Sequence, residues 1–93
     1  MVLEVAIFDV TDPDGFAAAY QSVREVISGA HGCRSVRMTR GIETPTCFIL
    51  MVEWDSVQAH EDFRAAESFA TWRGAIGPFF ASPPQVEHFT DLD

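Results

Sequence analysis

The chain has 93 residues, 47% hydrophobic and 12% aromatic, which suits one domain, residues 1–93, with its own core and excludes a disordered chain. Fourteen acidic residues face six arginines and no lysine, for a net charge of −8; phosphate backbones are repelled, and nucleic acid is excluded as a natural partner. No apolar run reaches the ~18 residues of a membrane span and no basic leader precedes the first apolar segment, so a cytoplasmic protein without a membrane partner is expected.

Val2 to Val10 reads as a first strand. Leu3, Val5 and Ile7 fall on one face and Ala6, Phe8 and Val10 on the other, because side chains alternate across a strand. Asp12 then caps a helix, with Pro13 suited to its first position and Asp14 to the positive end of its dipole. Phe16, Tyr20, Val23 and Ile27 recur as one stripe of that amphipathic helix, which ends at Ser28 to Gly32. Cys33 to Arg40 is a second strand. Arg34, Val36, Met38 and Arg40 alternate there against small or polar residues, which suggests a sheet edge guarded by charge.

After a turn over Gly41 to Pro45, the segment from Thr46 to Trp54 is apolar on both faces: Phe48, Leu50, Val52 and Trp54 point one way, and Cys47, Ile49 and Met51 the other. A chain this short has helices enough for one side of such a sheet, so a second copy is expected to cover the other. Asp55 or Ser56 caps a short helix to about Arg64. Glu67-Ser68 punctuates the segment, and Phe69, Trp72, Ile76 and Phe79 or Phe80 form a further helical stripe that Gly77-Pro78 weakens near its end. Pro83-Pro84 introduces a last strand, Gln85 to Thr90, with Val86 and His88 on one face.

The order βαββααβ is the ferredoxin-like split βαβ plan: an α+β fold with a four-stranded antiparallel sheet and helices on one face. Two such sheets meeting by their bare faces form a dimeric α+β barrel, a homodimer through the open sheet face. A hairpin centred near Glu43 sets Cys47 opposite Thr39 and leaves Cys33 about 20 Å away at ~3.3 Å per residue. The two cysteines are therefore expected to stay reduced.

The run of Trp54-Asp55-Ser56, Ala59-His60, Phe63-Arg64, Phe69, Trp72-Arg73, Gly77-Pro78-Phe79-Phe80, Pro83-Pro84 and Val86-Glu87-His88-Phe89 resembles the antibiotic biosynthesis monooxygenase domain, a family of small dimeric α+β barrels. The resemblance implies cofactor-free oxygenation of an electron-rich aromatic, quinol or polyketide-like substrate, with no bound cofactor and a small apolar molecule as partner. It also implies an apolar cleft walled by Phe63, Trp72, Phe79 and Phe80, with His60 or His88 as catalytic base. Haem breakdown, found in other members, is disfavoured: the chain lacks Asn, and Phe63 and Arg73 stand where those members carry Trp and the iron-ligating His.

Each of these residues also has a plain structural reading. His60, beside Glu61 and Asp62, suits a solvated rim position, and His88 a hydrogen-bonded core or interface histidine. Trp72 belongs to a core stripe, and Tyr20 either offers its hydroxyl to a ligand or packs with its polar tip at the rim. Arg73 either binds an acidic substrate group or, like Arg64, makes surface ion pairs. Three dispersed histidines and two distant cysteines give no metal-ligand spacing, and no glycine-rich loop follows a strand to seat a nucleotide.

Three functions remain open on these residues. A monooxygenase needs a cavity, a base and dioxygen. A cyclase, isomerase or decarboxylase on the same fold needs the acid–base groups alone. A non-catalytic ligand-binding dimer would have Trp72 and Phe80 packed solid, with neither histidine reaching a void.

Overall fold

The computed structural model describes residues 1–93. The elements are β1 (Val2–Asp9), α1 (Pro13–Ser28), β2 (Cys33–Arg40), β3 (Cys47–Trp54), α2 (Val57–Ala65), α3 (Glu67–Ile76), a 3₁₀ turn (Gly77–Phe79) and β4 (Gln85–Phe89). The sheet is antiparallel in the order β2-β3-β1-β4. This is the expected ferredoxin-like α+β arrangement, with β2 at an edge.

Alternation decides which side of the sheet is buried. Along β3, Phe48, Leu50, Val52 and Trp54 are buried under the helices, while Cys47, Ile49 and Met51 are only half-buried. Along β1 the buried set is Glu4, Ala6, Phe8 and then Val10, so one carboxylate shares the core-facing side with apolar residues. On the opposite face no helix covers Ile7, which is 39% exposed, or Phe89, 47% exposed on the edge strand.

Helix α1 begins as its sequence dictates. Asp12 accepts a hydrogen bond from the Gly15 amide at 3.1 Å, and Pro13 takes the first helical position. Phe16, Tyr20 and Ile27 bury its inner stripe, with Phe16 ringed by Phe8, Phe48 and Phe79. Gly32, at φ +84°, turns the chain into β2; a Cβ there would also meet Ala59 Cβ at 2.7 Å. Ser56, rather than Asp55, caps α2, and Asp55 instead pairs with Arg34.

Two local expectations are corrected. Thr39 lies opposite Ile49 rather than Cys47, because a turn closed by the Cys47 amide on the Thr44 carbonyl shifts the hairpin centre by one residue. A two-residue register change preserves every facing, so the burial pattern is unaffected. Both cysteines are free. The break between α2 and α3 falls at extended Ala66, ahead of Glu67, which becomes the first residue of α3 and favours the dipole there.

At the far end of the core, the Thr11 amide donates to the Phe79 carbonyl, the Ala81 amide to Asp9, and Val10 bridges Phe80. These bonds tie the end of the 3₁₀ turn to β1 and fix Phe80, which stacks on Phe8 at 5.2 Å. No helix is long and apolar enough to cross a membrane.

Leu50→Ala, which truncates a side chain only 1% exposed, is expected to cost about 2–5 kcal/mol. Asp12→Ala should cost about 1 kcal/mol through the lost cap. Urea unfolding of the two variants checks both values and their order.

Candidate active site

Between the sheet and the helices lies a cavity of about 310 Å³. Ten of its fifteen lining residues are hydrophobic, and its polar wall consists of Glu4, His60, Arg64 and Arg73. The sheet supplies Glu4, Ala6, Phe8 and Leu50, α2 supplies His60, Phe63 and Arg64, and α3 supplies Phe69, Trp72, Arg73 and Ile76. An engineered cavity of about 150 Å³ holds one benzene ring, so this volume suits roughly two.

The chemistry centres on Glu4. Its Oε1 accepts the indole N–H of Trp54 at 2.8 Å and lies 3.4 Å from His60 Nε2, too long for a good hydrogen bond. His60 Nδ1 meets His88 Nε2 at 2.7 Å. Trp54, fully buried, stacks on the His60 ring with centroids 5.1 Å apart and planes 15° from parallel, which fixes the imidazole against the carboxyl. Glu4 and His88 sit directly opposite each other on β1 and β4, so both rise from the same face toward α2.

Glu4, His60 and His88 thus form a chain from the cavity wall to a half-buried histidine on an otherwise exposed edge strand. Glu4 Oε2 has no protein partner, yet no sealed side-chain oxygen or nitrogen is left unpaired. Glu4 itself lines the cavity.

Burial pushes the Glu4 carboxyl above its ordinary value, against the opposing pull of the Trp54 hydrogen bond and the Arg64 charge. Burial likewise holds the His60 imidazole down, to about 4, with His88 and Arg64 adding to the effect. His60 is accordingly neutral near pH 7, and its contact with Glu4 is not a standing salt bridge. A neutral His60 has one N–H: in one arrangement Nε2–H faces Glu4 and Nδ1 accepts from His88, and in the other Nδ1 donates to His88. A proton passed along the chain converts one into the other.

The structure brings His60, Phe63, Trp72, Arg73 and Phe80 to the cavity wall. His88 stands behind His60. Tyr20 is buried edge-on against Trp72, and Phe79 packs on Phe16; neither lines the cavity. Arg64 and Arg73 make no surface ion pair, contrary to the plain expectation for them. Arg73 instead lies over the Phe80 ring, 5.0 Å from its centroid.

Sequence reading passed over Glu4. The available signal was its parity: it shares the facing of Ala6, Phe8 and Val10, where an acid has no business unless something nearby receives it. No three His, Cys, Asp or Glu side chains converge on a metal-binding point.

The family profile described as antibiotic biosynthesis monooxygenase matches residues 4–75, from Glu4 through α3. The chain belongs to that family. A crystal structure of a candidate antibiotic biosynthesis monooxygenase from Bordetella bronchiseptica is similar at 35% identity, covering 98% of this chain and 96% of that one, with a TM-score of 0.93. An uncharacterized protein of Bacillus subtilis, YczJ, is 28% identical over 99% of this chain and its own full length. SnoaB, a cofactor-independent oxygenase from Streptomyces nogalater, shares the fold: TM-score 0.87, 17% identity, covering 99% of this chain and 93% of that one.

The opposed pKa shifts predict an unusual pH response. His60 has a lowered folded pKa, so alone it would cost stability as pH falls from 6.5 toward about 4. Glu4 has a raised one, so alone it would cost stability as pH rises from 4.5 toward its folded value. In the native protein these slopes oppose each other, since folding transfers a proton from imidazole to carboxylate. Glu4→Gln should therefore lose stability between pH 6.5 and 4.5 more steeply than the wild type, and His60→Gln should gain it. Urea midpoints measured across that range check the two signs.

Proposed function

We propose that this protein is a cofactor-independent monooxygenase of the antibiotic biosynthesis type, acting on a small aromatic, quinol or polyketide-like compound. The observation that carries the reading is Glu4: a buried carboxyl on the wall of an apolar cavity, with a raised pKa and one oxygen without a protein partner. Family membership supports the reaction type, and the cavity supports a substrate of about two rings.

The proposed chemistry starts with proton abstraction. Glu4 takes a proton from an acidic position of the substrate, a phenol, an enol or a methylene beside a carbonyl, and the resulting anion transfers an electron to dioxygen. The radical pair combines to a peroxide, and loss of water leaves a carbonyl. For a methylene substrate, the carbon gives up two hydrogens and dioxygen ends as one carbonyl oxygen and one water, so no external reductant is consumed. His60 and His88 carry the abstracted proton toward solvent and return it when water leaves. His60 is the alternative base; His88, off the cavity wall, serves through it. Phe63, Trp72 and Phe80 hold the ring, while Tyr20 and Phe79 act at one remove by supporting Trp72 and Phe16.

The same proton chain favours a second reading, since it would serve an oxygen-independent cyclase, isomerase or decarboxylase equally well. Turnover persisting without oxygen selects that reading. A non-catalytic binding protein is the least supported, because the cavity is open and His60 reaches it.

Oxygen uptake above background with a naphthohydroquinone or a one- to two-ring enol is expected from the wild type. Glu4→Gln should lower kcat roughly 100-fold or more, and His88→Ala should lower it less. Unchanged rates in Glu4→Gln, His60→Ala and His88→Ala alike would remove the proton chain from the mechanism.

We also propose a homodimer through the open sheet face, built on Ile7, Ile49, Met51 and Phe89. Ile49→Glu would bury a charge in that interface, and it should yield monomers in sedimentation velocity at micromolar concentration. A wild type that sediments as a monomer would refute the interface.

A further inference from the structure

Four of the six arginines have no carboxylate partner, and two of these, Arg64 and Arg73, stand on the wall of the same cavity. No carboxylate lies within 4.0 Å of Arg64 or Arg73, although Arg34 and Arg40 both find acidic partners on this surface. Glu61 is one helical turn from Arg64 and shares a neighbouring shallow depression with it, yet the two remain apart. In a chain with 14 acidic residues, Arg64 and Arg73 thus bring two positive charges to one opening.

Their placement is also shaped. Arg73 lies over Phe80, which itself lines the cavity, so its guanidinium rests by the apolar wall with no hydrogen-bond partner in the protein. The Arg64 charge reaches the interior, where it is felt at both Glu4 and His60. Arginine presents a planar fork that matches a carboxylate in two parallel hydrogen bonds. A neutral guest would leave both forks unused, and an acid would otherwise be repelled by the protein's overall negative field.

We propose that the substrate is an aromatic acid of one or two rings, its ring against Phe63, Trp72 and Phe80, its carboxylate held by Arg64 and Arg73, and its reacting position turned toward Glu4. The proposal rests on the cavity being the substrate site. It does not depend on which reaction follows.

Isothermal titration calorimetry with 1-hydroxy-2-naphthoate and its methyl ester tests it without turnover. The acid is expected to bind wild-type protein at least about tenfold more tightly than the ester, and added sodium chloride should weaken the acid alone. Arg64→Gln and Arg73→Gln should each remove much of that preference, and the double variant should bind acid and ester alike. Glu4→Gln should keep the preference. Equal binding of acid and ester to the wild type, binding of neither, or a preference that survives in the double variant would overturn the proposal. Acid preference without oxygen uptake would sink the oxygenase reading and leave this one standing; oxygen uptake without acid preference would do the reverse.

Discussion

Burying the Glu4 carboxyl costs free energy that its surroundings return only in part, and much of the structure is organised around that cost. The indole N–H of Trp54 satisfies one oxygen, and the neutral ring of His60 lies close enough to exchange a proton with it. Neither neighbour supplies a full positive charge, so burial holds the carboxyl above its ordinary value. Arg64 is the nearest influence of opposite sign, and it acts from the cavity's rim. A carboxyl in this condition is a stronger base than one in water. It also makes the site sensitive to anything that moves Trp54 or His60.

That dependence ties the fold to the chemistry. Trp54 ends β3, where its ring closes the core beside Phe63 and also backs the imidazole of His60. His60 can meet the sheet only because Ser56 starts α2 directly after the strand, which turns Ala59, His60 and Phe63 inward. His88 arrives from the opposite end of the sequence on β4, and its pairing opposite Glu4 depends on the register of an edge strand that is otherwise exposed. Three distant segments therefore meet at one proton chain.

The cavity exists because the layers do not fill the space they enclose. Around Phe16 the aromatic rings pack closely, with centroid separations from 4.6 to 6.5 Å. Toward Glu4 the sheet offers Ala6, whose small side chain leaves room beneath Trp72 and Phe63. Close ring packing at one end of the core, and Ala6 with the polar Glu4 and His60 among the large rings at the other, accompany a pocket lined mainly by sheet and helix residues. The opposite sheet face repeats the asymmetry on a larger scale: Ile7 and Phe89 remain exposed on a surface that the proposed second copy would cover.

Much of this was legible in the residues. Alternation in β1 and β3, the Asp12 cap, the helical stripes and the position of β2 at an edge all follow from local periodicity and capping, because those signals depend on near neighbours in the chain. The family likeness, carried by Trp54 through Phe89, was legible for the same reason. What local pattern could not supply was convergence. Nothing near Glu4 announces Trp54 or His88 as its company, and Tyr20 and Phe79 look as well suited to a wall as Phe63 until packing turns them elsewhere. The amino-acid order determined which face of each element would be apolar; only the assembled sheet and helices decided which polar groups share the dry space between them, since desolvation and hydrogen bonding act through distance in space and not along the chain.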